Sequence, residues 1–143
     1  MAQNGNSYIV KLSKSHLEWG THRYTNTRGK VYGEGYIPIP AQYARAYKLL
    51  NKNGTAGQDE LGQNIFNCTS EDGFFTGKLR AQGCSQKGNP YAKQFAGEKN
   101  LKALGEWYSE FDVSIGDEIE VIFTSETDIL IKIIKKHDLT DKL

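Results

Sequence analysis

A chain of 143 residues is long enough for one hydrophobic core, so a single domain is expected over residues 1–143, with the fold proper at about 7–135. A hydrophobic fraction of 38% with 11% aromatics argues against disorder, and no apolar run reaches the length of a membrane span. The amino-terminal stretch lacks the charged-then-apolar layout of a signal peptide, and Cys68 and Cys84 show no Cys-x-x-Cys spacing, so reduced thiols in a cytoplasmic protein are expected rather than a secreted disulfide scaffold.

In chain order, residues 7–13 (SYIVKLS) predict a short strand. Residues 14–35 are polar and aromatic, with four glycines and no clean period. An irregular segment of that length is a candidate for function. Residues 36–39 predict a strand. Pro40 stands where a helix begins, because its missing N–H would be unpaired in the first turn anyway. The helix follows over 41–50, with Ala44, Tyr47 and either Tyr43 or Leu50 on one face. Residues 51–63 are a Gly/Asn-rich loop. Strands over 64–69 and 74–81 flank Ser-Glu-Asp-Gly, a hairpin signal. A basic loop over 82–90, a strand over 91–96 and a short helix over 100–107 come next. A closing hairpin joins 118–124 to 128–134. Six or seven strands with two short helices predict a mainly β, barrel-like fold. Strand alternation assigns much of its interior to Ile37, Ile39, Phe66, Leu79, Phe95, Leu104, Trp107, Val121, Phe123, Ile131 and Ile133. Cys68 falls in a strand as a small apolar residue, and Cys84 in the basic loop.

The net charge is only +1, but it is built from opposed blocks. Between 74 and 102 lie Lys78, Arg80, Lys87, Lys93, Lys99 and Lys102 against Glu98 alone. Between 103 and 131 lie Glu106, Glu110, Asp112, Asp117, Glu118, Glu120, Glu126 and Asp128, with no Lys or Arg. Such a split predicts a polarised molecule, with one face drawn to polyanions and the acid opposite.

Two basic segments have the composition of nucleic-acid readers. The first holds Lys14, Arg23, Arg28 and Lys30 against Glu18, interleaved with Trp19, His22, Tyr24 and Asn26. The second holds Lys78, Arg80, Gln82, Ser85, Gln86, Lys87, Asn89, Tyr91 and Lys93. Lys and Arg neutralise phosphates, hydroxyls fix register, and Arg, Asn and Gln pair with purine edges in the major groove. Lys14, Lys30, Lys78, Lys87 and Lys93 are the phosphate candidates. Arg23, Asn26, Arg28, Arg80, Gln82, Gln86 and Asn89 are the base-reading candidates. The plain alternative is a pair of solvated surface loops.

Enzymatic readings find less support. His16, His22 and His137 show no metal-ligand spacing, and neither a P-loop nor a Gly-x-Ser-x-Gly motif occurs. Glu120, Asp128 and Lys132 come nearest to the carboxylates and lysine of a metal-dependent nuclease. No cofactor, metal or catalytic residue is expected in this chain.

The ordered motifs resemble those of a known family. Gly35-Tyr-Ile-Pro-Ile-Pro40 with the following helix, the hairpin around Asp72-Gly73, Leu104-Gly-Glu-Trp107 and Val113-Ser-Ile-Gly-Asp117 are similar to the B3-type DNA-binding domains. These are the pseudobarrel domains of plant transcription factors and of certain restriction endonucleases. The chain looks closer to the bacterial restriction branch (the EcoRII effector domain and the DNA-binding domains of BfiI and NgoAVII). The resemblance implies a seven-stranded open pseudobarrel with two short helices. It also implies two loops, here 14–34 and 82–90, gripping double-stranded DNA in its major groove like a wrench. Both coincide with the basic segments found by composition. The expected function is therefore sequence-specific duplex recognition, as the target-reading part of a restriction endonuclease whose nuclease is a fused or separate domain. The alternatives are a self-sufficient metal-dependent nuclease and a β-barrel protein-interaction module. No membrane partner is expected.

Overall fold

The computed structural model describes residues 2–13, 35–100 and 102–135. Seven strands form one nearly closed, barrel-like sheet: β1 (Ser7–Lys11), β2 (Ile37–Pro38), β3 (Ile65–Ser70), β4 (Thr76–Gln82), β5 (Gln94–Gly97), β6 (Glu118–Phe123) and β7 (Asp128–Ile134). Two helices, α1 (Ala41–Ala46) and α2 (Ala103–Glu110), follow β2 and β5. Strand order around the sheet is β1-β6-β7-β3-β4-β5-β2. Every neighbouring pair is antiparallel except β3 with β7, where Asn67 lies opposite Asp128. The mainly β pseudobarrel expected from the sequence is the fold observed.

Alternation builds the core. In β6 the inward positions Ile119, Val121 and Phe123 are fully buried, while the residues between them are half-buried. Phe66, Phe95 and Phe123 meet edge-to-face at centroid distances of 5.7–5.8 Å, the geometry that the ring quadrupoles favour. All the expected interior residues are buried except Ile133, which is half-buried against the core near the end of β7. Cys68 is buried in β3, Cys84 is half-buried, and both are free. Burial pushes the Cys68 thiol well above its ordinary value.

The two edge strands, β1 and β2, share no ladder, and tyrosines bridge them. Tyr8 Oη donates to the Pro38 carbonyl at 3.1 Å. Tyr47 Oη donates to the Ser7 carbonyl at 2.9 Å, and Tyr43 stacks on Tyr8 at 5.2 Å. Helix α1 therefore lies across the seam.

Both helices stop in the same way. α1 ends at Ala46 rather than 50 because Lys48 turns left-handed (φ 53°), bringing Leu49 N to Ala44 O at 2.9 Å and dropping Leu49 into the core. α2, which begins three residues later than expected, ends with Asp112 at φ 54° and Val113 N bonded to Tyr108 O at 2.9 Å. These are Schellman caps in which an apolar residue follows the left-handed one. Gly35 lies so close to α2 that a Cβ would meet the Gly105 nitrogen at 2.9 Å, which fixes where the chain enters β2.

Candidate nucleic-acid interface

The second basic segment divides into a strand and a loop. Lys78, Arg80 and Gln82 alternate with buried Leu79 and Ala81, so all three occupy the outer face of β4. At strand rise, Lys78 stands about 13 Å from Gln82. The loop proper runs from Gly83 to Lys93, and Gly83 and Gly88 take positive φ values of 81° and 84° there. Ser85, Gln86, Lys87 and Lys93 are exposed, and Asn89 and Tyr91 are half-buried.

One residue that the sequence did not point to holds this loop. Asn51 is 5% exposed. Its Nδ2 donates to Gly83 O and Asn89 O at 2.8 Å each and to Tyr91 O at 3.2 Å. Its Oδ1 accepts from Asn53 N at 2.9 Å and from Gly54 N at 3.3 Å. A side-chain amide thus joins both stems of the loop by donating to a carbonyl of each, with the Asn53 amide as a second donor to Asn89 O at 3.2 Å. Gly54 permits the contact, since a Cβ there would meet Pro90 O at 2.8 Å. Higher up, Asn89 Oδ1 accepts from Tyr91 N at 2.8 Å, and its Nδ2 donates to Ser85 Oγ at 3.3 Å. The side chains of Gln86 and Lys87 make no hydrogen bond or ion pair with the described residues.

Arg80 differs from the other cations. Its guanidinium meets Asp59 through two bonds, 2.8 and 3.1 Å. Its Nη2 also lies 2.7 Å from Glu98 Oε2, an ion pair without the alignment of a hydrogen bond. The bond from Arg80 is the main force holding the Asp59 carboxyl below its ordinary value, against a smaller opposing effect of burial. Arg45 on α1 has no such carboxylate among the described residues. Its guanidinium carbon lies 5.9 Å from the ring centre of Tyr91.

The first basic segment, with Lys14, Trp19, His22, Arg23, Tyr24, Asn26, Arg28 and Lys30, lies outside the described residues. The points where the chain leaves and rejoins them are defined. Lys11 pairs with Glu118 at the start of β6, and Leu12 N bonds to Asp117 O at 2.9 Å. Gly35 abuts α2. Pro38 pairs with Gln94, and Ile39 N bonds to Lys93 O at 2.9 Å. Traced through the registers, residues 12 and 35 stand at the strand ends opposite the 83–93 loop.

The acidic block is placed less simply than its sequence. Glu106, Glu110 and Asp112 are exposed on and after α2. Glu118 and Glu120 take outward positions on β6. Asp117 is fully buried, 3.1 Å from Lys135 Nζ, and accepts from Ser114 N. Asp128 accepts from Asn67 Nδ2 at 2.8 Å across the parallel pair. In the sheet, β3 separates β4 and β5 from the acidic β6–β7 hairpin. Glu120 lies opposite Lys132, while Asp128 is bound to Asn67.

No family model and no curated protein matches this sequence. Solved structures do match in shape. The N-terminal domain of Helicobacter pylori LlaJI.R1 is 10% identical, with a TM-score of 0.50 over 96% of this chain and 97% of that one. An Arabidopsis FUS3–DNA complex is 15% identical, with a TM-score of 0.49 over 90% and 95%. The near-complete coverage of the first carries the fold, and the seven-stranded, two-helix pseudobarrel is the B3-like architecture that the sequence motifs implied.

Proposed function

We propose that this chain is a sequence-specific duplex-DNA recognition domain, the target-reading part of a restriction endonuclease whose cleavage resides in another domain or partner. The observation that carries this reading is the 83–93 loop: exposed and basic at its tip, and fixed at its stems by Asn51. A loop held at its base loses less conformational freedom on binding than a free one. Residues 14–34 supply the second arm, with the cations Lys14, Arg23, Arg28 and Lys30. Their points of attachment favour arms that rise from opposite strand ends. β5, the four-residue strand that separates them, spans about 10 Å, comparable to the roughly 12 Å width of the major groove.

Within the described arm, Gln82 and Gln86 are the best-placed base readers, and Lys87 and Lys93 the best-placed phosphate contacts. Arg80 and Asn89 reach a base only by giving up their bonds to Asp59 and Ser85, so they serve here to shape the surface. A soluble cytoplasmic setting fits this role. Duplex binding measured across a salt series tests the proposal. Five or six phosphate contacts give a log–log slope of about −5. A slope near zero removes the electrostatic basis of the reading, and Mg²⁺-dependent cutting by the purified chain would replace it with a self-sufficient nuclease.

A further inference from the structure

The 83–93 loop borders a notch of about 260 Å³ between itself and α1. Ile39, Ala44 and Ala92 contribute apolar wall, and Arg45, Ser85 and Lys93 bring two cations and a hydroxyl to its rim. Arg45 occupies the last turn of α1, with the half-buried Tyr91 ring beneath its guanidinium at 5.9 Å. Neither Arg45 nor Lys93 has an ion-pair partner among the described residues. Arg80, at the other side of the loop base, is neutralised by two carboxylates. Of the two arginines flanking this loop, one has its charge satisfied within the protein and the other is open to a ligand.

We propose that Arg45, together with Lys93, binds a single phosphodiester of the duplex backbone at this notch, so that α1 forms part of the DNA footprint. The chemistry matches. A guanidinium presents paired N–H donors that fit two phosphate oxygens, and the Tyr91 ring, 5.9 Å from the guanidinium carbon, lies within reach of a cation–π contact that favours this placement before binding. The Ser85 hydroxyl at the rim supplies a further donor to an oxygen. The notch has no carboxylate in its lining to repel the anion. Because the site lies beside the loop rather than at its tip, its occupant is the backbone flanking the groove, not a base edge. The inference rests on the duplex-binding reading above and assigns it a residue outside both arms.

The test is the salt dependence of binding to two short duplexes of unrelated sequence, measured for the wild-type chain, Arg45→Ala, Arg45→Lys and Lys132→Ala. Lys132 lies on the outer face of β7, paired with Glu71 at 3.5 Å. Its removal therefore controls for loss of one positive charge. Arg45→Ala is expected to weaken binding severalfold at low salt and to flatten the log–log slope by about 0.9. Arg45→Lys keeps the slope and loses part of the affinity, because the charge stays and the paired geometry goes. Lys132→Ala matches the wild type. Arg45 is exposed, so an unchanged thermal midpoint confirms that the comparison reads contact and not fold. An Arg45→Ala slope equal to that of Lys132→Ala overturns the inference while leaving duplex binding in place. A loss confined to one preferred sequence overturns the phosphate assignment in favour of base reading. A wild-type slope near zero overturns the duplex reading and this inference with it.

Discussion

Strand β4 carries a turn at each end, and the two are held in opposite ways. At the Thr76 end, the side chains of buried Ser70 and exposed Asp72 are bonded within the 70–75 hairpin and to α2. Ser70 Oγ donates to Asp72 Oδ1 at 2.6 Å and accepts from Phe75 N at 2.9 Å. Asp72 also accepts from Phe74 N and, from α2, the indole N–H of Trp107, both at 2.9 Å. At the Gln82 end, Asn51 fastens the stems of the loop, Asn89 N closes the tip on Gln86 O at 3.0 Å, and the side chains of Gln86 and Lys87 bond to none of the described residues. The first turn is a structural joint between sheet and helix. The second is a rigid base under an open surface, the arrangement that favours recognition of a partner.

Breaking the first joint has the largest expected effect. Trp107→Ala removes a fully buried indole and orphans one bond to Asp72, and it should cost roughly 3–5 kcal/mol in denaturant unfolding. A folded variant with an unchanged midpoint would contradict the account of this joint. Breaking the second costs less stability and more function. Asn51→Ala removes this donor from the carbonyls of Gly83, Asn89 and Tyr91, but Asn89 O keeps the Asn53 amide and water reaches this surface loop, so the loss should be about 1–3 kcal/mol in all. Amide exchange should speed up over 83–91 while the 70–75 hairpin keeps its protection. Uniform exchange in both turns would show that Asn51 does not act locally.

Acid separates the two turns further. Burial pushes the Asp72 carboxyl upward, but the bonds from Ser70, Trp107 and Phe74 outweigh it and hold the group below its ordinary value of 3.8. Asp128 is held down first by Asn67. A depressed carboxylate stabilises the fold at pH values above 3.8, and that contribution disappears as pH falls through the lower folded-state value. Stability should therefore drop on acidification below about pH 4, and Asp72→Asn should flatten that limb. An acid limb identical in both proteins would remove Asp72 from the explanation. The smallest expected change belongs to the open tip. Lys87→Ala should leave stability untouched and flatten the salt slope of duplex binding by about 0.9 on every sequence.

Much of the barrel was legible because its signals are local. The alternation in Glu118–Phe123, the Asp-Gly turn and the apolar face ending in Trp107 each need only a few consecutive residues. What escaped depends on contacts distant in sequence or on a backbone choice without its usual residue. The helix expected over 41–50 stops early because Lys48 takes a left-handed conformation that glycine ordinarily marks. Asn51 sat in a Gly/Asn-rich stretch with nothing to distinguish it, since its acceptors lie 32 to 40 residues away. Nothing in the residues around Arg80 shows that Asp59, 21 residues earlier, holds its guanidinium. Strand parity could have found part of this, because it already sets Lys78, Arg80 and Gln82 on the wall of β4 rather than in the loop.

The central claim is that the open tip of the 83–93 loop reads a base sequence. Its most direct test uses a duplex selected from a random library by the wild-type chain, and a scrambled duplex of the same composition. Binding to both is measured for the wild type and for Gln86→Ala. A side-chain amide paired with an adenine edge discriminates by about 1–3 kcal/mol, so the variant should lose roughly 5- to 150-fold on the selected duplex and almost nothing on the scrambled one. Equal affinity of the wild-type chain for both duplexes, with Gln86→Ala unchanged on each, would contradict the claim.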